Sequence, residues 1–201
     1  MALPVTPPPA PVAPGALIAG KYRILHLVGE GAMGAVWAAR NEATSAEVAL
    51  KLLREPDVEM RQRIQREARV GALLKHRHIL DVYDAGETAT GDPFLVMQLL
   101  QGETLAGLLR RRRRLDAAEA CGIASDIARA LAAAHAMKVV HRDLKPANIF
   151  LHQEPGEDEP LVKVLDFGVA KDLSSSDSLR TVAGTVIGSL FYMSPEQASA
   201  Q

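Results

Sequence analysis

The feature that most constrains this chain is a pair of polar motifs, separated by enough residues for one short β-hairpin. Residues 141–148 read H-R-D-L-K-P-A-N, and residues 166–168 read D-F-G. Together they supply a candidate base, a cation and two oxygen-bearing side chains suited to a hard divalent cation. These are Asp143, Lys145, Asn148 and Asp166. Phosphoryl transfer depends on positioning and on neutralising phosphate charge, so the motifs favour that chemistry.

A glycine-rich motif, G-x-G-x-x-G-x-V, occupies residues 29–36. By itself it also fits a dinucleotide-binding loop, which follows a buried strand and opens a helix. Here the apolar residues before it (22–28) and after it (36–40) both predict strands. We therefore expect a hairpin whose tip approaches phosphates through backbone N–H groups. A plain glycine hairpin is the alternative that the motif leaves open on its own.

A strand that ends in a lysine precedes a basic helix that contains a glutamate. Residues 48–51 read V-A-L-K, and Glu67 lies 16 residues after Lys51. Apolar side chains recur at spacings of three and four over residues 61–74, which predicts an amphipathic helix. Glu67 lies beside the apolar face, where it can reach Lys51. A surface pair with Arg63 is the alternative.

In this order, the motifs resemble those of eukaryotic-like (Hanks-type) bacterial serine/threonine protein kinases over about residues 20–201. The resemblance implies an α+β, two-lobed protein-kinase-like fold. Its N-lobe would be an antiparallel sheet with one helix, and its mainly helical C-lobe would be incomplete. We expect a disordered Pro-rich tail at 1–19 and the N-lobe at 20–97. The hinge and a partial C-lobe, through the activation segment, would occupy 98–201.

The resemblance implies Mg-ATP-dependent phosphorylation of Ser or Thr side chains in protein substrates, with a role for each motif residue. Asp143 would accept the proton of the substrate hydroxyl, and Lys145 would offset charge on the transferred phosphate. Lys51 would hold the α- and β-phosphates and pair with Glu67. A lysine two residues after the catalytic aspartate is typical of the Ser/Thr-specific members.

ATP and Mg²⁺, with Mn²⁺ as an alternative ion, are the cofactors that the resemblance implies. Asn148 and Asp166 would be the metal ligands. Met97 would be the gatekeeper before the hinge, an ordinary buried strand and turn being the alternative there. The nucleotide-binding candidates are the loop residues Gly29, Glu30, Gly31, Ala32, Met33 and Gly34, and the adenine-contacting residues Val36, Ala49, Met97, Gln98, Leu100 and Phe150.

The segment that follows D-F-G is expected to be controlled by phosphorylation, because Arg142 can pair with a phosphate. Thr181 and Thr185 are the predicted autophosphorylation sites, and self-association would support that reaction. A Ser-rich mobile loop without phosphate is the alternative. Two residues depart from the family pattern: Ser189 stands where Thr is usual, and Ser194 where Ala is usual.

Composition argues against several other classes of protein. A net charge of −1 and an isoelectric point near 6.6 give no nucleic-acid footprint. The single cysteine, Cys121, excludes an internal disulfide and fits a reducing cytoplasm, and its neighbours predict a small core residue in a helix. The sequence contains no apolar run long enough for a membrane span. A cytoplasmic location is expected, and a parent protein anchored through a further C-terminal segment stays open.

Three further segments carry expectations of their own. Arginines 110–114 end a short helix that begins near Thr104, and a solvated helix end is favoured over an acid-binding patch. Residues 116–137 predict an Ala-rich helix capped by Asp116, with Glu119 completing the cap. An acidic turn follows at 152–160, for which solvation is favoured over metal binding. The predicted apolar face of the long helix is Ala120, Ile123, Ile127, Leu131 and Ala134.

The family fold continues through several helices after residues 195–196, so we expect this chain to be a fragment or a truncated product, and poorly stable alone. The alternative function is a catalytically weak nucleotide-binding or scaffolding kinase remnant. A small-molecule phosphotransferase is disfavoured by the D-L-K-P-A-N loop and by the long segment that ends in S-P-E. The sequence does not predict the protein substrate, the upstream signal or the oligomeric state.

Overall fold

The computed structural model describes residues 12–31, 34–53, 58–167 and 191–198 of the 201-residue chain. The chain divides into two compact units, the first formed by residues 1–64 and 83–99, and the second by 65–82 and 100–201. The sequence predicted one boundary between residues 97 and 98. The structure instead groups residues 65–82 with the second unit, because apolar side chains of that segment join the second unit's core. These are Val70, Leu74 and Ile79.

Six strands form one sheet. They are β1 (Leu17–Ile18), β2 (Tyr22–Gly31), β3 (Gly34–Asn41), β4 (Glu47–Leu53), β5 (Val82–Glu87) and β6 (Pro93–Gln98). Their order across the sheet is β1-β2-β3-β4-β6-β5, and β1 to β4 and β6 pair antiparallel. Helix α1 (Val58–Leu73) lies between β4 and β5 in the chain. The predicted glycine hairpin, lysine-bearing strand, hinge strand and amphipathic helix are all confirmed as secondary structure.

Alternation of side chains gives this sheet one strongly apolar face. The register pairs Leu50 of β4 with Trp37 of β3 and with Val96 of β6. Cross-strand pairs of this kind place their side chains on the same face, which builds a continuous core. That core consists of Ile18, Tyr22, Ile24, Ala39, Val48, Leu50, Leu52, Phe94 and Val96, with Trp37 partly buried against it.

The chain joins this sheet earlier than the predicted tail allowed. Leu17–Ile18 pairs with β2, and the backbone N–H of Gly15 donates to the carbonyl of Ile24 at 2.8 Å. Ile18 is buried in the core, and Val12 is partly buried against it. The assignment of residues 12–19 to a disordered tail is therefore wrong, because pairing with β2 and burial of Ile18 order the backbone. Residues 1–11 lie outside the described residues.

The second unit contains a small antiparallel sheet flanked by helices. Its elements are β7 (Gly102–Thr104), α2 (Leu105–Arg112), α3 (Ala117–Ala136), a 3-10 turn (Pro146–Asn148), β8 (Ile149–His152), β9 (Leu161–Val164) and the short helix α4 (Pro195–Ala198). Strand β8 is central, between β7 and β9. The acidic connection predicted at 152–160 is confirmed over residues 153–160, whereas His152 is the buried last residue of β8. Among the described residues, no helix is long and apolar enough to cross a bilayer.

Both helix starts in this unit were predicted correctly. The Thr104 hydroxyl accepts the N–H of Gly107 at 3.1 Å, which caps α2. The Asp116 carboxylate accepts the N–H of Glu119 at 2.8 Å, which caps α3. The reciprocal half of the predicted cap differs, because the Glu119 carboxylate accepts a hydrogen bond from the Arg112 guanidinium at 2.8 Å.

The orientation of α3 corrects two expectations. Ala130 and Ala134 are buried, and Ile123, Ile127 and Leu131 are partly buried against the same core. Cys121, predicted to be a core residue, is exposed. At 3.6 residues per turn it lies about 160° around the helix from Ile123, which faces the core. Ala120, predicted on the apolar face, is also exposed. The many alanines of α3 left its inward face poorly defined by sequence.

Candidate active site

The structure brings three of the predicted catalytic-loop residues into direct contact. The Lys145 ammonium lies 2.8 Å from Oδ2 of Asp143. The Asn148 side-chain nitrogen donates to the same oxygen at 3.1 Å and to the Asp143 backbone carbonyl at 2.8 Å. Two donors thus orient one carboxylate oxygen of the candidate base. Asn148 is buried, whereas Asp143 and Lys145 are half-buried and retain access to solvent.

The β8–β9 hairpin brings the two halves of the site together. Ile149, at the start of β8, pairs with Val164, at the end of β9. The flanking residues therefore meet, and the N–H of Leu165 donates to the carbonyl of Asn148 at 2.9 Å. Asp166 follows Leu165 directly. An antiparallel register thus explains why two candidate metal ligands far apart in sequence belong to one end of one hairpin.

The His141 side chain connects the predicted catalytic loop to this hairpin through a hydrogen bond. Its Nε2 lies 2.8 Å from the Leu165 carbonyl, and its Nδ1 accepts the N–H of Asp143 at 3.3 Å. The ring packs edge-on against Phe167 with 4.8 Å between ring centroids. Burial lowers the pKa of His141. A neutral ring with its proton on Nε2 satisfies both hydrogen bonds, which supports the predicted structural role for His141.

Two non-glycine residues of the site have left-handed backbone conformations that the sequence did not indicate. Arg142 has a φ of 61°, and Asp166 a φ of 56°. Such conformations are uncommon outside glycine and concentrate at functional sites. Arg142 follows His141, whose Nε2 lies 2.8 Å from the Leu165 carbonyl, and Asp166 follows Leu165, whose N–H donates to the Asn148 carbonyl. These hydrogen bonds therefore fix the backbone from which the Arg142 and Asp166 side chains extend.

In the first unit, the face of the sheet opposite the apolar core carries the nucleotide candidates. Lys51 pairs with Val36 on β3, and Ala49 pairs with Met97 on β6. Lys51 and Ala49 are two residues apart on β4, so all four side chains share one face. Ala49 and Met97 are buried, and Val36 and Lys51 are half-buried. One cationic residue thus lies among apolar ones, as expected for a site that takes adenine and phosphate groups.

The glycine loop is the end of the β2–β3 hairpin. Gly29 and Gly31 are exposed, and a Cβ at either position would meet nothing within 4 Å. Gly34 has a φ of 151°, and a Cβ there would collide with the backbone of Leu52, whose carbonyl carbon would lie at 3.0 Å. Glu30 is exposed within β2. Ala32 and Met33 lie outside the described residues, so the tip of the loop stays a prediction.

The remaining candidates occupy the predicted elements, but their contacts with nucleotide are untested. Glu67 lies in α1, and its side chain is outside the described part of the chain, so its pairing with Lys51 stays a prediction. Gln98 ends β6, and Leu100 follows it half-buried. Phe150 lies in β8, paired with Lys163 and Thr104.

The oxygen chemistry of the site fits a hard divalent cation. Both hydrogen bonds that the Asn148 carboxamide makes within the described part of the chain use its nitrogen, so the oxygen Oδ1 can bind a metal. Asp166 supplies a half-buried carboxylate. Among the described residues, no group of three or more His, Cys, Asp or Glu side chains is arranged to hold a metal. Mg²⁺ does not need such a group, because substrate phosphates and water commonly supply most of its ligands.

The regulatory predictions fall mostly outside the described residues. Thr181, Thr185 and Ser189 all lie there, and their roles stay predictions. Ser194 is exposed just before α4. Arg142, predicted to pair with a phosphate, is also exposed.

Comparisons with known proteins agree with these motifs. The family model described as the protein kinase domain matches residues 22–201. The chain is 43% identical over 190 residues to the serine/threonine-protein kinase Pkn3 of Myxococcus xanthus, covering 92% of this chain and 34% of that protein. It is 38% identical over 191 residues to the serine/threonine-protein kinase PknA of Mycobacterium tuberculosis, covering 92% of this chain and 43% of that protein.

The fold is similar to that of solved kinase domains. The crystal structure of the Mycobacterium tuberculosis PknI kinase domain matches with a TM-score of 0.68 and 33% sequence identity, over 80% of this chain and 64% of that one. The predicted protein-kinase fold is therefore confirmed. The chain spans less than half the length of Pkn3 and of PknA, and just under two thirds of the PknI structure.

Proposed function

The chain belongs to the protein kinase domain family, and on that premise we propose that it carries the catalytic residues of a serine/threonine protein kinase. The proposed reaction transfers the γ-phosphate of Mg-ATP to a Ser or Thr hydroxyl of a protein. The hydroxyl oxygen forms a bond to the γ-phosphorus, the bond from that phosphorus to the β–γ bridging oxygen breaks, and ADP leaves.

The observation that carries this proposal is the orientation of Asp143. Its Oδ2 receives hydrogen bonds from Lys145 and Asn148, so the carboxylate is held in one direction. Asp143 accepts the proton that the attacking hydroxyl loses. A base held in place in this way avoids reorganisation at the moment of reaction.

In this proposal, Lys145 stabilises charge on the transferred phosphate and also contacts the Asp143 carboxylate. Its ammonium lies 2.8 Å from the Asp143 carboxylate and is partly exposed, so it lies beside the oxygen that accepts the hydroxyl proton in this proposal. The charge that spreads over the equatorial oxygens in the transition state is stabilised by such a cation. A lysine at this position, together with the Ser/Thr specificity stated in the names of Pkn3 and PknA, supports a Ser/Thr substrate.

In this proposal, one set of residues binds the metal and another binds the nucleotide. Asn148 Oδ1 and the Asp166 carboxylate are the proposed ligands of Mg²⁺, or of Mn²⁺ in its place. When bound, the metal neutralises phosphate charge. Lys51, on the face shared with Ala49 and Met97, is the proposed contact of the α- and β-phosphates, supported by a pairing with Glu67.

Regulation by autophosphorylation at Thr181 and Thr185 is part of the proposal. Exposed Arg142 would pair with the added phosphate, because a guanidinium makes strong charge-assisted hydrogen bonds to phosphate oxygens. Transfer between copies would require transient self-association. Phosphopeptide mapping of active protein tests this part, and the absence of phosphate on both threonines would contradict it.

The decisive experiment measures transfer of radiolabelled γ-phosphate from Mg-ATP to the chain itself and to a generic protein acceptor. Asp143→Asn removes the base while keeping the shape of the side chain. Asp158→Asn, in the exposed turn between β8 and β9, removes an equivalent charge away from the site. We expect labelling with the unaltered chain and with Asp158→Asn, and a loss of about 10²-fold or more with Asp143→Asn.

Calorimetry with Mg-ATP separates the alternative function from inactivity. ATP binding without any label in every variant would favour a nucleotide-binding or scaffolding remnant. Label that persists in Asp143→Asn would contradict the proposed role of this carboxylate.

A further inference from the structure

The second unit carries a run of five consecutive arginines, Arg110–Arg114, which the proposed reaction does not use. The run covers the last turn of α2 and the connection to α3. It contains 5 of the chain's 23 Lys and Arg residues, although the net charge of the chain is only −1. Five adjacent cations therefore lie within one short segment of the second unit.

Two of the five arginines are held by carboxylates. Arg111 donates to Glu103 of β7. Arg112 donates to Glu119 of α3 at 2.8 Å. These ion pairs fix the middle of the run between two secondary-structure elements of the same unit.

The other three arginines are Arg110, Arg113 and Arg114. All are exposed, and within the described ranges no carboxylate or carbonyl accepts a hydrogen bond from their guanidinium groups. The end of α2 is satisfied by backbone instead, since the N–H of Arg113 donates to the Leu109 carbonyl at 2.8 Å. The three guanidinium groups are therefore accessible to an external anion.

The turn after α2 places one of these three cations, Arg114, at a concavity. Arg113 has a φ of 66°, a left-handed conformation that turns the chain sharply between the two helices. A concavity of about 500 Å³ opens there, lined by Arg112, Arg114, Leu115 and Asp116. One of its arginines is fixed by Glu119, and the other has no acidic partner among the described residues. The surface is thus both shaped and positively charged.

The composition of this surface favours a compact anion. All five cations are arginines, whose planar guanidinium binds phosphate or carboxylate through two parallel hydrogen bonds, whereas lysine acts as a point charge. Asp116, Glu103 and Glu119 interrupt the positive field around the run. An extended polyanion, such as nucleic acid or an anionic bilayer, would meet all three carboxylates, whereas a single phosphate beside Arg114 would face Asp116 alone.

We propose that Arg110, Arg113 and Arg114, together with Arg112, form a docking surface for a phosphorylated Ser or Thr side chain of a protein partner. The proposal rests on the proposed kinase function only for the source of that phosphate. A partner that carries the product of the reaction would be retained at a surface other than the catalytic loop. The surface therefore gives the protein a second, non-catalytic contact with phosphorylated proteins.

Fluorescence anisotropy without ATP tests this binding separately from catalysis. The probe is a short labelled peptide with one central phosphoserine among neutral residues, compared with the same peptide carrying Ser or Glu there. We expect the phosphopeptide to bind at least about tenfold more tightly than the Ser peptide, and more tightly than the Glu peptide. Equal binding of the phosphorylated and unphosphorylated peptides would overturn the proposal.

Matched charge changes locate the site. The triple variant Arg110→Gln, Arg113→Gln, Arg114→Gln should weaken phosphopeptide binding about tenfold or more. The control variant Arg69→Gln, Arg77→Gln, Lys138→Gln removes the same charge from exposed positions of the same unit and should change it less than about threefold. Equal losses in the two variants would reduce the effect to net charge and overturn the proposal.

Two further arms distinguish the chemistry of the partner. Replacing the three arginines by lysines keeps the charge but loses the paired hydrogen bonds, so phosphopeptide binding should fall by about threefold or more. Full retention would contradict the geometric argument. An oligonucleotide or an anionic phosphatidylserine vesicle that binds more tightly than the phosphopeptide at equal salt would also overturn the proposal. Circular dichroism melts verify that every variant is folded.

Discussion

The side-chain nitrogen of Asn148 donates hydrogen bonds to both the backbone carbonyl of Asp143, at 2.8 Å, and its carboxylate oxygen Oδ2, at 3.1 Å. Asn148 thereby orients the proposed base through its nitrogen while presenting its oxygen as a proposed metal ligand. One side chain thus couples the direction of the base to the position of the metal. Substitutions that separate the nitrogen from the oxygen should separate the two roles.

Asn148→Asp keeps an oxygen ligand but loses the donor, and it places a second carboxylate beside Asp143. We expect the turnover number to fall about 10²-fold or more, because the base is no longer held by a hydrogen bond. The Mg²⁺ concentration needed for half-maximal activity should change little. In Asn148→Ala, which loses both groups, turnover should fall and that concentration should also rise.

Steady-state phosphate transfer at a series of Mg²⁺ concentrations makes this measurement. Asn41→Ala serves as a control, because Asn41 lies in the first unit and its side chain accepts the N–H groups of Ala43 and Thr44 in the turn that follows. Equal Mg²⁺ dependence in the Asp and Ala variants of Asn148 would show that its oxygen is not a metal ligand.

The glycines of the β2–β3 hairpin should differ in what they contribute. Gly34→Ala forces a Cβ against the Leu52 backbone at a φ of 151°, so it should lower the melting temperature without any ligand. Gly29→Ala and Gly31→Ala meet nothing within 4 Å, so they should leave that temperature nearly unchanged. If these glycines admit phosphates, both substitutions should nevertheless raise the KM for ATP.

Differential scanning fluorimetry measures the melting temperatures, and steady-state phosphate transfer at a series of ATP concentrations measures the KM. An unaltered melting temperature for Gly34→Ala would show that the hairpin relaxes around the new methyl group. An unaltered KM for Gly29→Ala and Gly31→Ala would contradict the phosphate-binding assignment.

The sequence predicted correctly the features that depend on residues close together in the chain. The contacts among Asp143, Lys145 and Asn148 lie within one continuous loop, so the motif predicted a functional group that the fold places together. Asp166 joins them because a hairpin register is a simple, regular relationship between two predicted strands. The predicted cap at Asp116 was equally local.

Other features depended on tertiary contacts or on rare backbone conformations. The inward face of α3 was ambiguous because alanine fits either side, so Cys121 was placed wrongly. The ordering of Leu17 and Ile18 depends on pairing with β2, which a proline-rich composition conceals. The positive φ of Arg142 leaves no trace in its residue type, because left-handed backbone is usually signalled by glycine or asparagine.

Two helical glycines form a matched pair for stability. A Cβ at Gly71 in α1 would lie 2.9 Å from Cβ of Val82, whereas one at Gly122 in α3 would meet nothing within 4 Å. Gly122→Ala should raise the free energy of unfolding by about 0.5–1 kcal/mol through helix propensity. Gly71→Ala should lower it by about 1–2 kcal/mol, because overpacking costs more than propensity contributes.

Urea unfolding followed by circular dichroism measures both values. Val82→Ala in the Gly71→Ala background tests the cause, since removing the methyl groups of Val82 should recover part of the loss. Stabilisation by Gly71→Ala alone would show that α1 shifts to accommodate the methyl group at little cost.

The buried His141 predicts a direction for the pH dependence of stability. Burial holds its pKa in the folded chain below the ordinary value of 6.5, so between those two pKa values the unfolded chain binds more protons. Stability must therefore rise with pH in that interval, and it is lost as pH falls from about 7 through the lowered pKa. A proton added to Nδ1 would also face the N–H of Asp143, whose hydrogen bond it would remove.

Chemical unfolding at several pH values between about 5 and 7.5 tests this dependence. His141→Asn removes the titrating group and should flatten the profile, although it lowers stability at every pH. Part of the slope should remain, because burial and the neighbouring His78 also lower the pKa of His76. His76→Asn therefore serves as the comparison, and the two substitutions together should flatten the profile most. An unchanged slope in His141→Asn would show that this ring is protonated equally in the folded and unfolded chains.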